Sequence, residues 1–102
     1  MYTMDDIKII NKQKGYYFFS PDTMRFFRSR VGDTVYQGAG GVFFVTSEQF
    51  VSYYPEYYAA PRKYTVRQFF PDTGNIETVT GFNELSYSRA VRRAGYLALG
   101  DL

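Results

Sequence analysis

Neither His nor Cys occurs in these 102 residues. Their absence removes Ser-His catalysis, thiolate attack, disulfide bonding, and metal sites built on imidazole or thiolate. The carboxylates form no constellation that reads as an acid/base pair. Asp5, Asp6 and Asp22 sit where helices start, Asp72 sits in a turn signal, and Glu77 falls at the exposed position of a strand. Gly38-Ala39-Gly40-Gly41 lacks the Lys-Ser/Thr that completes a phosphate-binding loop and leads into a strand, so it reads as a turn. The expectation is a protein that is not an enzyme and carries no cofactor or metal. What the chain has in quantity is recognition chemistry: Tyr 11, Phe 10 and Lys+Arg 12.

Four groups of residues could do that work. Arg25, Arg28 and Arg30 interleave with Phe26 and Phe27; guanidinium forks bind phosphates bidentately, and exposed rings stack on bases. The same pattern also suits a solvated helix end, with Phe27 in the core and basic residues favoured by the helix dipole. Arg89, Arg92 and Arg93 fall three and four residues apart, on one side of a helix, either as a phosphate-tracking face or as a solubilising one. Arg62, Lys63 and Arg67 add a third basic cluster on a strand edge, where lysines also serve to discourage edge pairing. Tyr53, Tyr54, Tyr57 and Tyr58 cluster in a loop. Tyr supplies rigid contact area with a polar end, so the loop is either a binding surface or a lid folded back over the sheet.

The elements that must hold these groups follow from periodicity and punctuation. Thr3, then Asp5 and Asp6, then Ile7 and Ile10 predict a helix over 4–14 that Gly15 ends. Tyr16-Tyr17-Phe18-Phe19, between Gly15 and Pro21, predicts a buried strand. Ser20-Pro21-Asp22 predicts the start of a second helix, with Met24, Phe27 and Val31 at helical spacing and a stop near Gly32. Residues 34–37 and 42–46 predict a hairpin around the glycine-rich turn, and residues 48–61, with two prolines and no period, predict an exposed loop. Alternation over 63–70 places Tyr64, Val66 and Phe70 on one strand face and Lys63, Thr65 and Arg67 on the other. Pro71-Asp72-Thr73-Gly74 turns the chain into a strand over 76–80, and an apolar stripe from Leu85 to Ala98 marks a final helix from Asn83 onward.

The expected fold is α+β: one domain over 1–102, with an antiparallel sheet of about four to five strands and two or three helices packed mainly on one face. Length admits one core, and 45% hydrophobic residues suffice to fill it. A formal charge of +2 is too balanced to mark a nucleic-acid binder by itself. No stretch approaches the ~18 apolar residues of a membrane span, and Asp5 and Asp6 stand where a secretory leader needs positive charge, so a cytoplasmic protein without a membrane partner is expected.

The runs Ser20-Pro21-Asp22-Thr23-Met24-Arg25-Phe26-Phe27, Val35-Tyr36-Gln37-Gly38, Gly41 through Gln49, and Arg62-Lys63-Tyr64-Thr65-Val66-Arg67 together resemble a family of small phage- and plasmid-borne proteins of undefined function. The resemblance spans Gly15 to Phe82, with residues 50–60 as a local elaboration. It implies a setting in mobile elements, whose small accessory proteins bind and block host defence machinery. On that implication the chain would be a stoichiometric, anti-CRISPR-like inhibitor gripping a host protein or ribonucleoprotein complex in a bacterial cell. The residues themselves keep two other readings open: direct nucleic-acid binding through the basic helix faces, and a homodimer formed through sheet edges or the tyrosine loop.

Overall fold

The computed structural model describes residues 1–100. Thr3 and Asp6 close a reciprocal capping box, at 3.1 and 2.9 Å, that starts α1 (Met4–Gln13). Met4, Ile7 and Asn11 form its buried stripe. Gly15, at φ 90°, ends this turn as expected.

The strand expected at Tyr16–Phe19 does not form. The backbone turns there instead, and Phe18 and Phe19 lay their rings on Phe44 at about 6 Å centroid separation. The apolar run caps the sheet face and adds no strand to its edge, which is why propensity misplaces it. Ser20 then caps α2 (Pro21–Phe26), which ends well before Gly32. Arg28 adopts φ 48°, a left-handed conformation that breaks the helix, and the next residues become β1 (Arg30–Val31).

The expected hairpin is present as β2 (Tyr36–Gly38) and β3 (Gly41–Glu48), with Ala39-Gly40 between the paired Gly38 and Gly41. β1 and β2 pair with successive stretches of the same edge of β3, and its other edge pairs with β6 (Lys63–Phe70). The chain between them is not all loop: β4 (Val51–Ser52) pairs with β5 (Tyr58–Ala59) to make a small two-stranded arm. Ladders of two residues leave no alternation for a sequence reading to detect.

β7 (Asn75–Glu84) runs further than expected and pairs with β6 from Phe70 back to Tyr64, interrupted at Val66. A bulge opposite Thr65–Arg67 absorbs the extra residues, so that Arg67 faces Thr78 and Thr65 faces Asn83. The final helix α3 (Tyr87–Leu99) accordingly starts later than Asn83, and Leu85 is exposed. The result is the expected α+β architecture, with a five-stranded antiparallel sheet and a separate two-stranded one.

α3 does the main helix-on-sheet packing. Ala90, Ala94 and Ala98 are small enough to bring it close to Phe43, Val45 and Val66. Tyr36 helps to wall this cluster; burial, with Tyr87 beside it, pushes its phenol pKa above the ordinary value. The packing is not confined to that face. Met4 and Ile7 of α1, with Phe18 and Phe19, cover Val42, Phe44 and Phe69 on the other side. Phe69, 1% exposed, is thus a core residue on the same side of β6 as Thr65 and Arg67, a face the alternation marked as polar. Asn11, also buried, donates to the Gly74 carbonyl at 2.8 Å and ties α1 to the β6–β7 turn. Among the described residues no helix is long and apolar enough to cross a membrane.

Two glycines make opposite predictions. The Gly40 amide donates to the Ala98 carbonyl at 3.0 Å, and a Cβ at Gly40 would overlap the Leu97 carbonyl oxygen and lie 2.6 Å from the Gly100 Cα. Gly40→Ala is expected to lower stability by about 1–3 kcal/mol. A Cβ at Gly95, inside α3, meets only Tyr36 Cδ1 at 3.9 Å, so Gly95→Ala is expected to raise stability by about 1 kcal/mol. Urea unfolding of both variants beside the parent measures the signs, and a shared sign would contradict the packing of α3 on the β2–β3 turn.

Candidate macromolecule-binding face

The side of the sheet that α1 covers is divided. Along β3 and β6 the residues pointing that way run from apolar, Val42, Phe44 and Phe69, to polar, Thr46, Glu48, Thr65 and Arg67. α1 covers the apolar half only, because only there do Met4 and Ile7 find apolar partners. Glu48, Thr65 and Arg67 of the polar half line the floor of a cleft of about 630 Å³, while Thr46 is buried beneath them.

Arg67 organises that floor. Its Nε donates to Thr46 Oγ1 at 3.0 Å, one terminal nitrogen donates to Glu48 Oε1 at 2.5 Å, and the other donates to the Thr78 hydroxyl. The hydroxyls of Thr46 and Thr65 donate to the two Glu48 oxygens at 2.6 and 3.1 Å. Phe18 lies 5.4 Å beneath the guanidinium and joins the polar floor to the apolar core. With side chains only 17% and 20% exposed, Arg67 and Glu48 form a well-shielded ion pair whose hydrogen-bonding capacity is largely used. Arg67, expected in a basic cluster on a strand edge, lies instead on a strand paired on both sides, with β3 and β7, and is the structural hub of the cleft.

The cleft walls are aromatic. Phe26 and Phe27 come from the end of α2, and Phe50, Val51 and Pro61 from the base of the arm. Phe26 is 81% exposed and touches Phe27 edge to face at 4.9 Å. Phe27 is 52% exposed and so is not the core residue that one reading of the segment made it. Lys63 and Asn83 also line the cleft.

α2 and the arm are far apart in sequence and are fastened together in space. Arg28 hydrogen-bonds to the Tyr53 hydroxyl and lies over the Tyr53 ring at 5.7 Å. Arg62 donates to the Arg28 carbonyl at 3.1 Å and to Ser47 Oγ at 2.7 Å, while the Gln49 amide donates to the Phe27 carbonyl at 3.4 Å. Arg25, Arg28, Arg30 and Arg62 thus line one shallow hollow beside the cleft. On the arm, Tyr53 and Tyr57 pack at 5.7 Å, and all four tyrosines are exposed, Tyr54 most of all at 87%. The tyrosines are not a lid over the sheet.

Arg89, Arg92 and Arg93 do cluster as their spacing implies, around Glu84 and Tyr96 on α3, with Arg93 3.9 Å from Glu84. α3 lies across the sheet from the cleft, so these arginines belong to a different surface. Among the described residues no three His, Cys, Asp or Glu side chains converge as a metal site would need. The sequence reading marked Phe26 as a ring beside the arginines but missed Phe50 as a rim residue and Glu48 as part of the floor. The one available signal was the pair Thr46 and Glu48 on the same side of an otherwise apolar strand.

A family model described as a family of unknown function, DUF7447, matches residues 3–94, from the N-cap of α1 into α3. The match reaches beyond the Gly15–Phe82 span of the sequence resemblance at both ends. No curated protein and no solved structure matches the chain significantly.

The division of labour among the arginines is measurable. Arg67→Ala leaves the Glu48 carboxylate half-buried without its cation and is expected to cost about 1.5–3 kcal/mol. Arg25→Ala, on an exposed side chain, is expected to stay within about 0.5 kcal/mol of the parent. Denaturant unfolding of the two variants separates a structural arginine from a surface one.

Proposed function

We propose that the chain, which belongs to the DUF7447 family of unknown function, is a non-catalytic, stoichiometric binder whose working surface is the end of α2 together with the arm. The observation that carries this reading is the Arg28–Tyr53 contact, which merges the basic segment and the tyrosine cluster into one continuous face. Exposed aromatic side chains rarely collect on a monomer's surface without a partner, and Tyr and Arg are the residues most often found to dominate binding energy. The same face offers little for turnover. Glu48, the carboxylate lining the cleft, accepts from Arg67, Thr46 and Thr65 and so is poorly placed to take a proton from a substrate.

In the setting implied by the resemblance to mobile-element proteins, the partner is a host protein or ribonucleoprotein complex of bacterial defence in the cytoplasm, blocked by occupancy in the manner of an anti-CRISPR. The face suits such a partner in charge as well as in shape. Its cations and rings complement an acidic or nucleic-acid-bearing surface and do not mimic DNA, which would require a strongly acidic chain.

The test is capture from bacterial lysate by the tagged protein beside the quadruple variant Tyr53→Ala, Tyr54→Ala, Tyr57→Ala, Tyr58→Ala, followed by light scattering of the recovered complex. One discrete complex of fixed stoichiometry is expected with the parent, and at least a tenfold lower yield with the variant. Equal capture by the two proteins, or a parent that captures nothing, would remove the arm from the binding surface.

A further inference from the structure

The arginine hollow and the aromatic cleft are neighbours along two chain segments at once. Phe26 and Phe27 line the cleft while Arg25 and Arg28 line the hollow, and Pro61 and Lys63 line the cleft while Arg62 lines the hollow. The hollow measures about 520 Å³ and is lined by no acidic residue. Among the described residues none of its four guanidinium groups has a carboxylate within 4 Å, although the fold makes such a pair elsewhere, at Arg67–Glu48. Arg25 and Arg30 carry exposed side chains that hold no other part of the fold in place.

A ligand matching this surface must bring negative charge to the hollow and flat apolar faces to the rings beside it. A single nucleic-acid strand does both, because its phosphates fit guanidinium forks and its unpaired bases stack on exposed aromatic side chains. A duplex fits poorly. Its base faces are covered by stacking, and the helix that borders the hollow, α2, is six residues long and too short to read a major groove. An acidic peptide would satisfy the arginines but has no equivalent use for ring faces as exposed as Phe26 and Phe50. We propose that the face formed by α2 and the arm binds a single-stranded nucleic-acid segment, with phosphates in the hollow of Arg25, Arg28, Arg30 and Arg62 and bases on Phe26 and Phe50. This rests on the reading of that face as the working surface and names the chemistry it meets there, such as an exposed strand within a ribonucleoprotein.

The full chain is titrated, by fluorescence anisotropy, against a labelled 12-nucleotide single strand of mixed sequence, as RNA and as DNA, against the matching duplex, and with poly-glutamate as competitor. Binding of at least one single strand is expected, at least about tenfold tighter than the duplex, weakening with salt, and not displaced by poly-glutamate at equal charge. Arg25→Ala with Arg30→Ala should flatten the log-log salt dependence by about 1.4, roughly 0.7 for each single-strand phosphate that no longer meets a guanidinium. Phe26→Ala and Phe50→Ala should each weaken binding about fivefold or more without changing that slope. All four side chains are exposed, and an unchanged thermal transition confirms that each variant is folded.

Absent strand binding at low salt, equal affinity for the duplex, displacement by poly-glutamate, or loss of binding with Arg89→Ala and Arg92→Ala while Arg25→Ala and Arg30→Ala bind normally would each overturn the proposal. If lysate capture survives nuclease and depends on the tyrosines while no strand binds, this inference falls and the binder reading stands. If capture and strand binding both fail, the face itself is not the working surface.

Discussion

The antiparallel register between β3 and β6 is the constraint on which the rest of the structure depends. It sets Phe44 opposite Arg67, Val45 opposite Val66 and Thr46 opposite Thr65, so that each side of the sheet receives a defined set of side chains. A slip of β6 by one residue would turn Arg67 toward α3 and away from Glu48, and would turn Val66 out of the α3 core. With the register as it is, one face is apolar along the stretch that α3 covers, and the other changes from apolar to polar partway along. That change determines where α1 can sit and leaves the remainder open as a cleft.

Arg67 makes the open half stable without a helix above it. A bare patch of strand hydroxyls beside a carboxylate would have to rely on solvent. Here the guanidinium gathers Thr46, Glu48 and Thr78 into one hydrogen-bonded layer and rests on Phe18. The polar floor is thereby stiffened, and the flanking aromatic walls stand on a rigid base. Rings held on such a base lose less conformational entropy on binding than rings on a free loop.

The left-handed Arg28 has a comparable role at the rim. Ending α2 after six residues frees the following chain to pair with β3, and it leaves Phe26 and Phe27 at the helix end, where the sheet offers them no cover. A non-glycine residue in that conformation costs roughly 1 kcal/mol. The contacts of Arg28 with Tyr53 and of its carbonyl with Arg62 help to offset the cost while drawing the arm against α2. One backbone feature thus terminates a helix, exposes two rings and joins two segments.

Much of the local structure was legible in the residues. The α1 cap, the Gly38–Gly41 turn, the full extent of β6 and the alanine face of α3 all follow from short-range rules, because caps, turns and periodic stripes are decided by neighbours in sequence. The arginines and tyrosines were legible as types, because composition alone shows them abundant and His and Cys absent. Tertiary structure alone decided their grouping. It merged Arg25–Arg30 with Tyr53–Tyr58 and Arg62, set Arg89–Arg93 on the far side of the sheet, and withdrew Arg67 into the floor. Strand pairing and helix packing bring together residues whose separation in the chain carries no information about their distance. Composition therefore supplied the residue types of this surface, and the β3–β6 register, the bulge and the break at Arg28 decided which of them meet.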